Sequence, residues 1–226
     1  MDVKKGLKRF WRFLKKDSWQ SWIVSILLII ILIKWIFFPT LNFITGSNRP
    51  LVIVESCSMY HGLTKEYSTT AQGLQWTGKY KLCGAVFDKD ERISKAEYWE
   101  ACGEFYESKG INQSEFESFS LSSGLNKGDI VFVWGRSASK LGDIIIFETP
   151  AKHPLIHRLI ALRPKATKGD HNEGQLAVNN NANGIDETNI AEKQIIGKAV
   201  GKIPYAGWIK LIWFEPFRRS DERGLC

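Results

Sequence analysis

A serine hydroxyl becomes a nucleophile only when a base can take its proton. The candidate here is Ser58, in the run Ser56-Cys57-Ser58-Met59 directly after the β-branched stretch 51–55. A strand-to-loop junction is where a rigid scaffold can present such a group. Four histidines could serve as its base: His61, His153, His157 and His171. His61 is only three residues from Ser58, and His153 and His171 stand in turn-like sequence. His157 differs, because it lies inside the apolar run 154–162 and shares a face with Leu155 and Leu159 under two-residue alternation. An imidazole there is partly dehydrated and held in one orientation, which suits a general base. The same placement suits a core histidine that merely satisfies its hydrogen bonds, and the residues alone leave both readings open.

The elements that must carry these side chains read as mainly β. Residues 128–133 and 142–147 each open with Gly-Asp and turn apolar at once, the signature of a turn feeding a strand. Residues 51–55, 154–162, 175–178, 195–203 and 207–214 read as further strands, separated by turn-rich pieces such as 168–170 and 179–184. One insertion, 88–120, breaks the pattern. Ser94 and Glu97 have capping-box spacing, and Tyr98, Ala101, Cys102, Phe105 and Tyr106 recur at helical intervals before Gly110. A second short helix follows Asn112. Such a helical hairpin would cover an open edge of the sheet or contact a partner or membrane, the first being favoured.

In residues 19–38 only Gln20, Ser21, Ser25 and Lys34 are polar. Twenty residues at about 1.5 Å rise span the roughly 30 Å hydrocarbon layer of a bilayer. Lys34 can snorkel from near one end, and Trp19, Trp22 and Trp35 suit the interfaces. The tract exceeds the apolar region of a cleaved signal sequence and reads as an uncleaved anchor. Before it, residues 1–17 hold seven basic side chains against Asp2 and Asp17, so most of the formal +7 sits there. By the positive-inside tendency residues 1–18 are cytoplasmic and residues 39–217 lie outside, with 218–226 a polar tail. The remaining body is nearly neutral, which removes nucleic acid as an expected partner. At 226 residues the chain is too short for a large multidomain machine, and with 44% hydrophobic residues too core-rich for disorder. Residues 208–217 read as a strand or as a segment hugging the membrane interface.

Cys57, Cys83, Cys102 and Cys226 allow three pairings in an oxidising compartment, and Cys83 with Cys102 is the expected one. Neither cysteines nor histidines have ligand-like spacing, so no metal is expected. Asn112-Gln113-Ser114 is a glycosylation triplet.

Taken in order, Ser56-Cys57-Ser58-Met59 behind its strand, the Gly-Asp-Ile openings, residues 154–159 (PLIHRL) and residues 167–172 (TKGDHN) resemble the successive boxes of a type I signal peptidase. The resemblance runs from the anchor to about Trp213. The archaeal and endoplasmic-reticulum branch has histidine where the bacterial branch has lysine, and His157 stands at that place. The resemblance implies an antiparallel signal-peptidase-like β-domain with an α-helical insertion and one N-terminal transmembrane helix. It implies a serine endopeptidase, without a cofactor, that removes signal peptides from exported preproteins after small residues at the cell membrane. The bilayer and the translocation channel are the other partners it suggests. Carried across, Ser58 is the nucleophile, His157 the base, and the Ser58 N–H with the Ser56 hydroxyl the oxyanion hole. Asp170 is then the carboxylate expected to orient His157, with Asp186 a further candidate and Glu173 and Glu187 competing with it.

Two departures stand out. Cys57 occupies the place usual for glycine, which would crowd the backbone or supply a rival thiol, and a structural variant is the expectation. The family's later aspartate is also missing from its usual place beyond Asp170. The base itself has a physical rationale: a lysine near pKa ~10.4 needs about 4.6 kcal/mol of environment to work at pH 7, whereas a histidine near ~6.5 is already neutral. Two rival readings remain. One is a non-catalytic membrane-tethered β-module that binds exported proteins or the translocation channel, distinguished by the Ser58–His157 distance. The other is a Ser-Lys protease, which would need Lys165 or Lys168 near Ser58.

Overall fold

The computed structural model describes residues 3–71, 73–151 and 153–226; Asp2 of the basic block lies outside them. Its contacts divide the chain into two units, Met1–Gly46 and Ser47–Cys226.

The first unit is helical: α1 (Val3–Leu14), α2 (Trp19–Leu32), a π-helical turn (Ile33–Phe37) and α3 (Phe38–Thr45). Ser18 caps α2 by accepting from the Ser21 N–H. From Trp19 to Thr45 the helix runs 27 residues and holds an 18-residue stretch with a mean hydropathy of 2.5, long and apolar enough to cross a membrane. The apolar stretch expected over residues 19–38 lies within it. Proline has no N–H and its ring crowds the carbonyl four residues back, which ordinarily breaks a helix. Here the backbone widens to i→i+5 bonding just before it, with the Phe38 N–H donating to Ile33 O, and the helix continues. Gly46, at φ 66°, ends it in the left-handed conformation.

The second unit is built on a six-stranded antiparallel sheet in the order β1-β5-β9-β6-β7-β8. The strands are β1 (Leu51–Ile53), β5 (Ile130–Trp134), β6 (Ile144–Phe147), β7 (Leu155–Leu162), β8 (Lys165–Lys168) and β9 (Ile195–Ile203). Both Gly-Asp pairs form the same turn. Gly128 and Gly142 take φ of 90° and 83°, and Asp129 and Asp143 accept from the backbone N–H three residues back, at Asn126 and Lys140. Lys202 and Lys198 of β9 then pair with those aspartates at 3.0 Å, tying both strand starts to one neighbour. Val131, Val133, Ile144, Ile146 and Ala199 pack into a buried cluster with Met59 beneath the Ser58 loop.

A second, three-stranded sheet, β2 (Thr64–Thr70), β3 (Gly73–Leu82) and β4 (Ala85–Phe87), was not expected. Its half-exposed, Thr- and Lys-rich strands carry little apolar alternation. Two expected strands are absent. In residues 175–178 the backbone donors of Leu176 and Ala177 go to the Glu187 and Asn180 side chains rather than to a ladder. Residues 207–214 start instead with a short helix, α6 (Trp208–Leu211), whose Trp208 indole N–H donates to Lys127 O. The insertion does form two helices, α4 (Lys95–Glu107), with the full Ser94/Glu97 capping box, and α5 (Gln113–Ser118), capped by Asn112. They bury Tyr98, Cys102, Tyr106 and Phe116 against Ile160 of β7 and Ala166 of β8, so the hairpin covers that part of the sheet.

Candidate functional site

β7 delivers His157 and the loop after β1 delivers Ser58, and the two meet although 99 residues apart. Ser58 Oγ lies 2.9 Å from His157 Nε2. The other ring nitrogen, Nδ1, is hydrogen-bonded to Glu187 Oε1. An ionised carboxylate only accepts, so the ring proton sits on Nδ1 and Nε2 is left to accept from the Ser58 hydroxyl. Glu187 is itself fixed, receiving the Thr167 hydroxyl at 2.9 Å and the Leu176 N–H at 2.8 Å, and both it and His157 are buried. Ser56 Oγ lies 3.2 Å from Ser58 Oγ, on the exposed side. The site opens onto a cleft of about 1160 Å³ lined by β1, residues 56–60, the approach to β7 and residues 218–226. His153 stands exposed at its edge.

The loop holding Ser58 is set from the chain that follows β8. The His171 N–H donates to Ser58 O at 2.9 Å, and Gly169 lies so close that a Cβ there would fall 2.7 Å from Ser58 O and 2.8 Å from His157 Nε2. Glycine is needed for that approach, and this is the physical content of the Gly169-Asp170 pair. His171 also lies buried between the Thr64 hydroxyl and Tyr60 O, and burial pushes its pKa down to about 4.

Asp170 goes elsewhere than expected. Its carboxylate takes Arg158 Nη2 at 2.6 Å and Nε at 2.9 Å, the Tyr106 hydroxyl at 2.9 Å and His61 Nε2 at 2.8 Å. Burial alone would raise its pKa, but the Arg158 guanidinium and the bond from His61 outweigh it and hold the carboxyl far below the usual range. With those donors in place the carboxylate faces Arg158, and the ring of His157 is met by Glu187 instead. Asp186 turns outward and accepts from the Thr188 N–H and hydroxyl.

No free thiol stands beside Ser58, because Cys57 is bonded to Cys226; Cys83 pairs with Cys102. The second bridge ties α4 to the start of β4's turn, whose Cys83 N–H donates to His171 O. Lys168 is buried against the rings of Phe105 and Tyr106, with its ammonium on Gly169 O and Asp170 O; burial lowers its pKa to about 8. Lys165 pairs with Glu192. Neither lysine is bonded to Ser58. Among the described residues no group of three His, Cys, Asp or Glu is placed to hold a metal ion.

Sequence reasoning underrated Glu187. Its signal was weak: a glutamate beside an aspartate after a long polar loop, and the choice between them depends on which way one residue of that loop points.

The chain is similar to curated fungal proteins. It is 32% identical over 108 residues to the signal peptidase complex catalytic subunit sec11 of Sclerotinia sclerotiorum, covering 43% of this chain and 61% of that one. Against the subunit SEC11 of Pyricularia oryzae the identity is 30% over 119 residues, covering 48% and 67%. Against that of Lachancea thermotolerans it is 33% over 106 residues, covering 43% and 62%. The chain thus spans a little under or about two thirds of the length of these relatives. No family model matches it.

Proposed function

This chain belongs to the type I signal peptidase family, and from that premise we propose that it is a membrane-anchored serine endopeptidase that removes signal peptides from exported preproteins. The observation that carries the proposal is the unbroken hydrogen-bond chain Ser58 Oγ, His157 Nε2, His157 Nδ1, Glu187 Oε1. A non-catalytic tethered module has no need for a hydroxyl, an imidazole and a carboxylate in that order.

Ser58 Oγ attacks the scissile carbonyl carbon as its proton passes to His157 Nε2. The imidazolium that forms keeps its Nδ1–H on Glu187, whose charge stabilises it and fixes the ring. The Ser58 N–H and the Ser56 hydroxyl face the developing oxyanion, where each donor of this kind is worth about 3–4 kcal/mol of barrier. His157 Nε2–H then protonates the leaving amine, and a water deprotonated by the same nitrogen releases the acyl group from Ser58. Asp170 takes no proton; it holds Arg158 and the 169–171 segment against the Ser58 loop. Substrates are preproteins with small residues before the cut. The helix from Trp19 to Thr45 is a membrane anchor, with the basic segment cytoplasmic, residues 47–226 outside the cytoplasm, and the translocation channel a neighbour in the same membrane.

The test is the full chain in detergent with a preprotein: the wild type cuts at one site and Ser58→Ala does not. Cutting by Ser58→Ala at the wild-type rate would end the proposal.

A further inference from the structure

Residues 215–226 grip the loop that carries Ser58 at two points. Arg218 donates to Glu55 O at 3.2 Å and to Glu55 Oε2 at 2.8 Å, and Cys226 is bonded to Cys57. The two grips stand on either side of Ser56, and the second lies next to Ser58. The same segment is closed on itself: Gly224 N–H donates to Glu215 Oε2, and Arg223 to Arg218 O and Pro216 O. It is also pinned to the main sheet. Lys127, only 1% exposed and one residue before Gly128, donates to Glu222 O at 2.5 Å and pairs with Glu215 at 2.8 Å.

The loop needs such support. Ladder pairing of β1 ends at Ile53. Beyond Val54 the backbone–backbone bonds of residues 55–60 are Tyr60 N–H to Cys57 O, His171 N–H to Ser58 O and Leu125 N–H to Met59 O, joined by His171 Nδ1 on Tyr60 O and the Asp170 N–H on Met59 Sδ. Among the described residues none of these bonds falls on Glu55 or Ser56, while the two hydroxyls must sit within about 0.5 Å of a productive geometry.

We propose that residues 215–226 are a redox-latched strap that holds Ser56 and Ser58 in register, with Cys57, Cys226 and Arg218 as positioning residues. The proposal rests on the serine-peptidase reading above. In an oxidising compartment the latch is closed and the site is assembled. A dithiol reductant gives two electrons and two protons to the Cys57–Cys226 bond, leaving two thiols and a cyclic disulfide of the reductant. The strap then swings free of Cys57, and turnover falls while the cleft still takes substrate. A chain still on the reducing side of the membrane is therefore switched off.

The experiment compares the wild-type full chain in detergent with the double variant Cys57→Ser, Cys226→Ser, which leaves the other bridge intact. Cleavage of a preprotein gives kcat and KM. Hydrogen exchange at the Tyr60 and His171 amides, measured against the Leu159 amide that donates to Asp143 O, reports the loop directly. The expected result is a kcat at least tenfold lower, a KM within about twofold, and exchange at Tyr60 and His171 at least tenfold faster relative to Leu159. An unchanged kcat with an unchanged exchange ratio, even with a lower unfolding midpoint, overturns the strap and leaves a mere staple. If the wild type itself cuts nothing, the peptidase reading fails, and the exchange ratio alone decides the strap. Should the double variant not fold, Arg218→Met opens the other grip, with the same readouts and an expected loss of about threefold; no loss there overturns the proposal.

Discussion

His157 and Arg158 are neighbours on β7, both buried and each bonded to a buried carboxylate, yet they do opposite work. Arg158 spends all five N–H groups: on Asp170, on Gly142 O, on Ser120 O and on Leu121 O, with its plane over Phe116 at 5.1 Å. Nothing is left to change partners. His157 spends one nitrogen on Glu187 and directs the other at a hydroxyl beside an open cleft. A base with a carboxylate is thus no sign of chemistry by itself. What matters is whether one of its hydrogen bonds can be remade during a reaction.

The strongest way to break this contrast is at the remade bond. Ser58→Ala and His157→Ala are each expected to lower kcat by about 10⁶-fold, measured as preprotein cleavage at saturating substrate, while α-helical and β-sheet circular dichroism stays as in the wild type. Next comes Glu187→Gln. Its amide would donate to Nδ1, force the proton onto Nε2 and leave Ser58 without an acceptor, so kcat should fall by about 10⁴-fold with KM little changed.

Asp170→Asn sharpens the other side. It leaves Arg158 buried without its counter-charge, so chemical denaturation should show a loss of about 3–5 kcal/mol, while the folded fraction keeps kcat within a few-fold. The reverse outcome, intact stability with lost turnover, would place Asp170 in the reacting group and dissolve the distinction. His171 gives a pH signature. Its folded pKa, about 4, lies below the ordinary histidine value of 6.5, so the unfolded chain takes up the proton first as pH falls. Stability is full above about 6.5 and drops by about 3 kcal/mol as pH falls to 4; His171→Gln should flatten that slope in denaturation curves. Smallest is Gly169→Ala, whose methyl meets Ser58 O and His157 Nε2. A displacement of that scale costs kcat about 10²-fold, read in the same cleavage assay.

The β-domain, the helical insertion and the apolar helix could be read from the chain because each rests on local pattern. The Ser94/Glu97 box starts α4, and two Gly-Asp turns feed two buried strands. The small β2–β4 sheet escaped because Thr-, Lys- and Tyr-rich strands on a half-wet surface show no alternation. Residues 208–211 were misread because four bulky residues in a row suit strand and helix alike until Trp208 finds Lys127 O.

By itself the sequence determined which residue types could react, Ser58 and His157 among them, and where the chain must turn, cap or run as an apolar helix. Those are matters of neighbours a few positions apart. Only the tertiary structure decided which carboxylate serves which base, Glu187 for His157 and Asp170 for Arg158, and that Cys57 reaches Cys226 across 169 residues. The reason is geometrical. A carboxylate chooses its partner by the side of a strand on which a side chain emerges and by the donors already gathered there, and both are fixed only when β7, β8 and the loops around them are packed together.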